Sequence, residues 1–161
     1  MPVAPQIVQA AAAFRFNTNM LDKSFDSLSP EEWSSHPGSC NCLLWVAGHI
    51  IWARSRVLSQ LGVSWSRPWL AQFERGPKPA NTPNYPDPAE VTAAWLDVKS
   101  ALAASLEAAS PEALAAPGPE KVPSFDGTLA GTLSFMSWHE GYHVGQAAML
   151  RSWLGRGQIA G

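Results

Sequence analysis

The 161-residue chain is poor in cysteine: Cys40 and Cys42 are the only two. Residues this close do not form a favourable mutual disulfide, and no third thiol is available, so the composition suits a reducing cytoplasm. A Cys-x-Cys pair can hold a soft metal, but two ordinary buried or capping thiols are the commoner outcome. Charge of one sign is also missing. Eleven Lys and Arg stand against 13 Asp and Glu, scattered and without a basic run, for a net charge of −2. There is thus no electrostatic footprint for nucleic acid or for anionic lipid. The N-terminus, MPVAPQIVQAAAAFRF, has no charged region leading into an apolar core and cleavage site, and no apolar run reaches the length of a membrane span. Neither nucleic acid nor membrane is an expected partner. No period-two run, internal repeat or low-complexity tract is present, which removes sheet and repeat architectures.

What the chain has in quantity is tryptophan, eight residues of it, enough for an aromatic core or a lined pocket. It also has helical periodicity. Ile7, Ala11, Phe14, Thr18, Leu21, Phe25 and Leu28 step by fours and threes, as on one face of a long amphipathic helix that only Thr18 interrupts. Ser29-Pro30-Glu31-Glu32 supplies a cap, a first-position proline and a third-position glutamate, so a short helical turn is expected before Pro37-Gly38. A second helix should start near Ser39 to Asn41 and run to Leu61-Gly62, apolar over a wide arc. The Pro- and Gly-rich stretch that follows carries Trp65, Trp69, Phe73 and Tyr85 and reads as an ordered crossover. A third helix opens at Asp87-Pro88-Ala89-Glu90 and stops near Ser110-Pro111. A fourth, from about Asp126 to Thr128 onward, carries Leu129, Leu133, Met136, His143, Ala147, Leu150 and Leu154 at helical spacing. Length and pattern predict one all-α domain over 1–161, a four-helix bundle with enough core to fold without a structural metal.

The chemistry concentrates in histidine. His139 and His143 are four residues apart, which stacks two imidazoles on one helical face roughly 6 Å apart, close enough to share one ion. A helical His-x-x-x-His is as often two surface residues, so a third ligand decides the matter. His49 lies in CLLWVAGHIIWAR, flanked on its own face by Trp45 and Trp52. Alone, it would read as a core histidine bonded to a carbonyl. Three inward histidines on adjacent helices favour a divalent metal, because neutral imidazole is the commonest ligand for zinc, nickel or copper. His36, in a Pro/Gly-rich turn, is expected to be exposed.

His139-Glu140-x-x-His143 also matches the H-E-x-x-H of zinc peptidases, in which the glutamate activates a metal-bound water. The remainder of that signature is missing. Of the 18 residues after His143 none is acidic, and Gln146 and Met149 stand where the extended pattern needs Gly and His. Glu140 is then expected to be solvated or to support the ligands from behind.

With a histidine in LLWVAGHIIWAR and the run HEGYHVGQAAMLR in the last helix, the sequence resembles the DinB-like superfamily over nearly its whole length. The resemblance implies a bundle of up-down-down-up order with a long crossover between the second and third helices, and it implies frequent homodimerisation. It further implies a divalent metal, zinc or nickel, on His49, His139 and His143. Characterised members include thiol S-transferases and a thiol-dependent isomerase, and others lack an assigned activity.

Three neutral histidines leave an ion's charge uncompensated and one position open, as in a catalytic rather than a closed structural site. A low-molecular-weight thiol bound there would lose its proton near neutral pH and become a nucleophile. The reading that follows is a metal-dependent thiol S-transferase on a small-molecule substrate. A non-catalytic metal-binding or dimerisation module is the alternative, and a metal-dependent hydrolase the third choice. Trp45, Trp52, Trp138 and Tyr142 are candidate walls of the thiol and substrate pocket, though each aromatic taken singly more often belongs to a core. Arg54 and Arg56 can meet a carboxylate of the thiol, although exposed salt bridges are the more usual fate of such arginines. No catalytic residue is identifiable from the sequence.

Overall fold

A computed structural model of the chain describes residues 3–74 and 85–159. Among them the secondary structure is helical, with a single isolated bridge between Pro117 and Thr128 and no strand. Four helices are long: α1 (Val8–Phe25), α3 (Leu43–Gln60), α4 (Pro88–Ala108) and α6 (Leu129–Trp153). Two are single turns, α2 (Pro30–Ser34) and α5 (Pro111–Ala115), and 3-10 turns occupy Pro5–Ile7 and Leu70–Phe73.

The local signals act where their chemistry predicts. Ser29 and Glu32 close a reciprocal capping box on α2, with Pro30 at the first position. Asp87 caps α4 by accepting from the Ala89 amide, and Thr128 caps α6 by accepting from Gly131. Cys42, at the head of α3, makes no side-chain cap, and that helix starts at Leu43, two to four residues later than the sequence pattern suggests. Burial compensates, since 14 of its 18 residues are buried. Nothing in the sequence periodicity marks α5. Its five residues are capped by Ser110 and anchored by Leu114, and a single turn is too short to display a period.

One core joins these elements. α3 packs on both α4 and α6, and α1 packs on α6 and α4. The expected first stripe is present, with Ile7 of the preceding 3-10 turn and Phe14 and Leu21 of α1 fully or nearly buried. Burying these stripes against each other is the main force holding the helices together. The connection after α3 is packed where described. Trp69 and Phe73 are buried, Phe73 stacks on Tyr85 at 5.2 Å, and the Leu70–Phe73 turn lies against α3. The middle of the expected crossover, residues 75–84, lies outside the described residues. Cys40 and Cys42 are both free thiols, the first exposed and the second buried.

Candidate metal centre

His49 lies midway along α3, where the sequence surrounds it with its own helical neighbours. Trp45, one turn before, stacks on the imidazole at 4.9 Å and 5°, and Trp52, one turn after, stacks at 5.4 Å and 22°. The ring is therefore held in a sandwich. Its Nδ1 lies 2.8 Å from the Phe73 carbonyl oxygen. A carbonyl only accepts, so Nδ1 carries the proton and the lone pair is on Nε2.

That hydrogen bond depends on Gly48. A Cβ at this position would meet the Phe73 ring at 2.4 Å, so only glycine lets the 3-10 turn come close enough to reach His49. The adjacency of a glycine and a histidine thus couples helix packing to ring orientation.

On α6, His139 and His143 face each other one turn apart, with their Nε2 atoms 3.3 Å from one another. The His143 ring lies 4.7 Å from both the His49 and the His139 ring. One ligand atom from each of the three residues falls within 4.8 Å of the others, the separation of donors around a single ion. His143 donates from Nδ1 to the Gln146 side-chain oxygen at 2.7 Å, and the Gln146 amide in turn donates to the Tyr142 hydroxyl at 3.1 Å. This also directs the second nitrogen of His143 at the cluster. Such supporting bonds usually hold the tautomer of a ligating histidine.

Burial, followed by the neighbouring His49, pushes His143 down from the ordinary histidine range to about 4. The ring is consequently neutral at pH 7. Convergent lone pairs, fixed tautomers and a neutral ring fit a late first-row divalent ion, whose ligands must be deprotonated.

Glu140 sits between the two α6 histidines in sequence but not in function. It is 3% exposed, and its two oxygens accept from Arg54 Nε at 2.7 Å and Nη2 at 2.8 Å. Arg54 is itself 1% exposed, bonds the Thr18 hydroxyl at 2.8 Å, and lies 4.3 Å over the Trp95 ring. Both carboxylate oxygens are committed to a buried bidentate pair, so the peptidase role of this glutamate has no free base to perform it. Glu140 is buried rather than solvated, and Arg54 is unavailable to a substrate. Their signal was legible, because Thr18, Arg54 and Glu140 each occupy a stripe position of their helix.

A cleft of about 590 Å³ opens beside the histidines, lined by His49 and His139 together with Trp52, Arg56, Phe135 and Met136 among others. Of the four aromatics expected as pocket walls, Trp52 lines this cleft, while Trp45 is buried behind His49. Trp138 and Tyr142 lie on the exposed side of α6, 62% and 60% accessible, and do not line it. Met136 reads as core from its place in the helical stripe, and Phe135, off that stripe, carries no sequence signal of a wall. His36 is half-buried and bonds the Gly38 carbonyl, apart from the cluster. Among the described residues no helix is long and apolar enough to cross a membrane.

A sequence profile of the DinB superfamily matches residues 13–147, a span that contains all three histidines. No curated protein matches the chain.

Proposed function

The chain belongs to the DinB superfamily, and from that premise we propose that it is a metal-dependent enzyme acting on small molecules, a thiol S-transferase that uses a low-molecular-weight thiol. The observation that carries this reading is the convergence of three histidine donors, two of which line a cleft large enough for a small molecule. His49, His139 and His143 would hold the ion, with zinc or nickel our first choices. When bound, such an ion supplies the positive charge that lets a coordinated thiol lose its proton near neutral pH. The chain's own residues do the rest. The Phe73 carbonyl and Gln146 keep two imidazoles in their ligating tautomers. Trp52, Phe135 and Met136 give the cleft an apolar wall that limits water beside the reacting sulfur.

The assembly belongs to the same reading. Contacts between α1 and α6 climb together, from Asn17 with Ser137 to Ser24 with Arg151. Those between α3 and α6 run oppositely, with Trp45 near His143 and His49 near His139. Asp22 meets Trp95 and Lys99, while Thr18 and Phe14 share a groove with Leu102 and Leu106. These pairings support an up-down-down-up four-helix bundle. Trp138, Tyr142, Met149 and Trp153 form an exposed stripe on α6 that suits a homodimer. Two free thiols suit a cytoplasmic enzyme.

Elemental analysis of purified protein and of His49→Ala, run beside thiol-consumption assays over a panel of thiols and electrophiles, tests the proposal. We expect one ion per chain, lost in the variant, and consumption of at least one thiol. Unchanged metal content in His49→Ala sinks the triad. A metal-loaded protein that consumes no thiol, and that unfolds when chelated, is instead a structural module.

A further inference from the structure

The cleft extends well past the histidines. His49, Trp52, Arg56 and Ser59 recur at steps of three and four on α3 and all line it, so it runs along that face of the helix. Arg56 lies seven residues beyond His49, which places its Cα about 10 Å along the axis. From the other side, Lys121 lines the same cleft on the loop before α6.

These two cations differ from the other basic residues nearby. Arg54 is held by Glu140, Arg67 by Asp97, Lys99 by Asp22 and Arg156 by Glu32. Arg56 and Lys121 are exposed, and among the described residues neither enters an ion pair. Among the lining residues described, Glu74 is the single carboxylate, against these two positive charges. Two cations outside any ion pair, against one carboxylate, give the lining of this aromatic-walled cleft a net positive charge that favours an oxyanion, and a guanidinium recognises carboxylate or phosphate by its paired donors.

We propose that Arg56 and Lys121 form the anion-recognition end of the cleft, so that the small molecule taken at the histidines is elongated and carries a carboxylate or phosphate roughly 10 Å from its reacting end. This rests on the metal-dependent reading above and narrows its substrate class. The far anion fixes the molecule's position while the reactive end lies at the histidines. Cationic compounds are disfavoured.

The test uses cobalt-loaded protein and chain-matched thiols, 6-mercaptohexanoate, 6-mercaptohexanol and 6-aminohexanethiol, titrated against the thiolate-to-cobalt charge-transfer band. The carboxylate should bind about tenfold more tightly than the alcohol, the worth of one charge-assisted hydrogen bond. In Arg56→Gln/Lys121→Gln the two should bind alike, with cobalt content unchanged. Equal affinities in the unaltered protein, a preference that survives in the double variant, or tightest binding of the amine overturns the inference. If no thiol produces the band, the transferase reading fails on its own. Heptanedioate against heptanoate, followed by the cobalt d–d bands, then decides the anion end by the same criterion. Protein that takes up no cobalt overturns both.

Discussion

Replacing Glu140 by Gln removes one charge from the buried pair that joins α3 to α6 and changes almost nothing in shape. The pair is bidentate, at 2.7 and 2.8 Å, with partners 1% and 3% exposed. The substitution leaves the Arg54 guanidinium desolvated, with a neutral amide, the Thr18 hydroxyl and the Trp95 face as its remaining partners. Breaking a buried pair from one side costs about 3–5 kcal/mol, a large part of a typical total stability. For a chain of this length that corresponds to a fall in Tm of about 6–20 °C. Arg54→Met should cost a similar amount, because it strands the carboxylate. The double variant Arg54→Met/Glu140→Leu should be markedly more stable than either single change, since no charge is then left without its partner. Chelated protein should be melted by circular dichroism for all four combinations, so that metal affinity does not enter the comparison. A change in Tm below about 2 °C for Glu140→Gln, accompanied by complete loss of turnover, would refute the reasoning and return Glu140 to the role of a general base.

Gln146→Ala removes the acceptor that holds the His143 Nδ1 proton, and metal affinity should fall about 10- to 100-fold in a competition titration, with little change in the apo melt. Tyr142→Phe, one bond further out, should weaken it less. Gly48→Ala drives a methyl into the Phe73 ring; about 1–3 kcal/mol of stability should be lost in urea titrations, together with metal affinity, because the turn that orients His49 must move. His143 is lowered to about 4 in the folded chain, from an ordinary 6.5. The unfolded chain therefore binds more protons between those values, and metal-free stability should be intact above pH 6.5 and decline as pH falls toward 4, by about 3 kcal/mol at most. A flat profile across that window in chelated protein contradicts the burial argument.

Much was legible before any fold was known. Periodicity located the long helices to within a few residues, because an amphipathic stripe is written at fixed spacing and needs no partner to be seen. The pair His139 and His143 was legible for the same reason, being one turn apart on one helix. The supports of the site were not. Phe73 contributes through its backbone carbonyl, which any residue carries, and only the close approach permitted at Gly48 brings it to His49.

Three polar side chains mark the division most clearly. The sequence by itself put polar side chains at Thr18 of α1, Arg54 of α3 and Glu140 of α6, marking only Thr18 as a break in a stripe, and put His49 and the His139/His143 pair on separate helices. Only the tertiary structure decided that the three side chains meet in one buried network and that the three imidazoles converge within 4.8 Å. Helix periodicity is a local property of the backbone, whereas the register between helices is set by packing and by the cost of burying a charge without its partner.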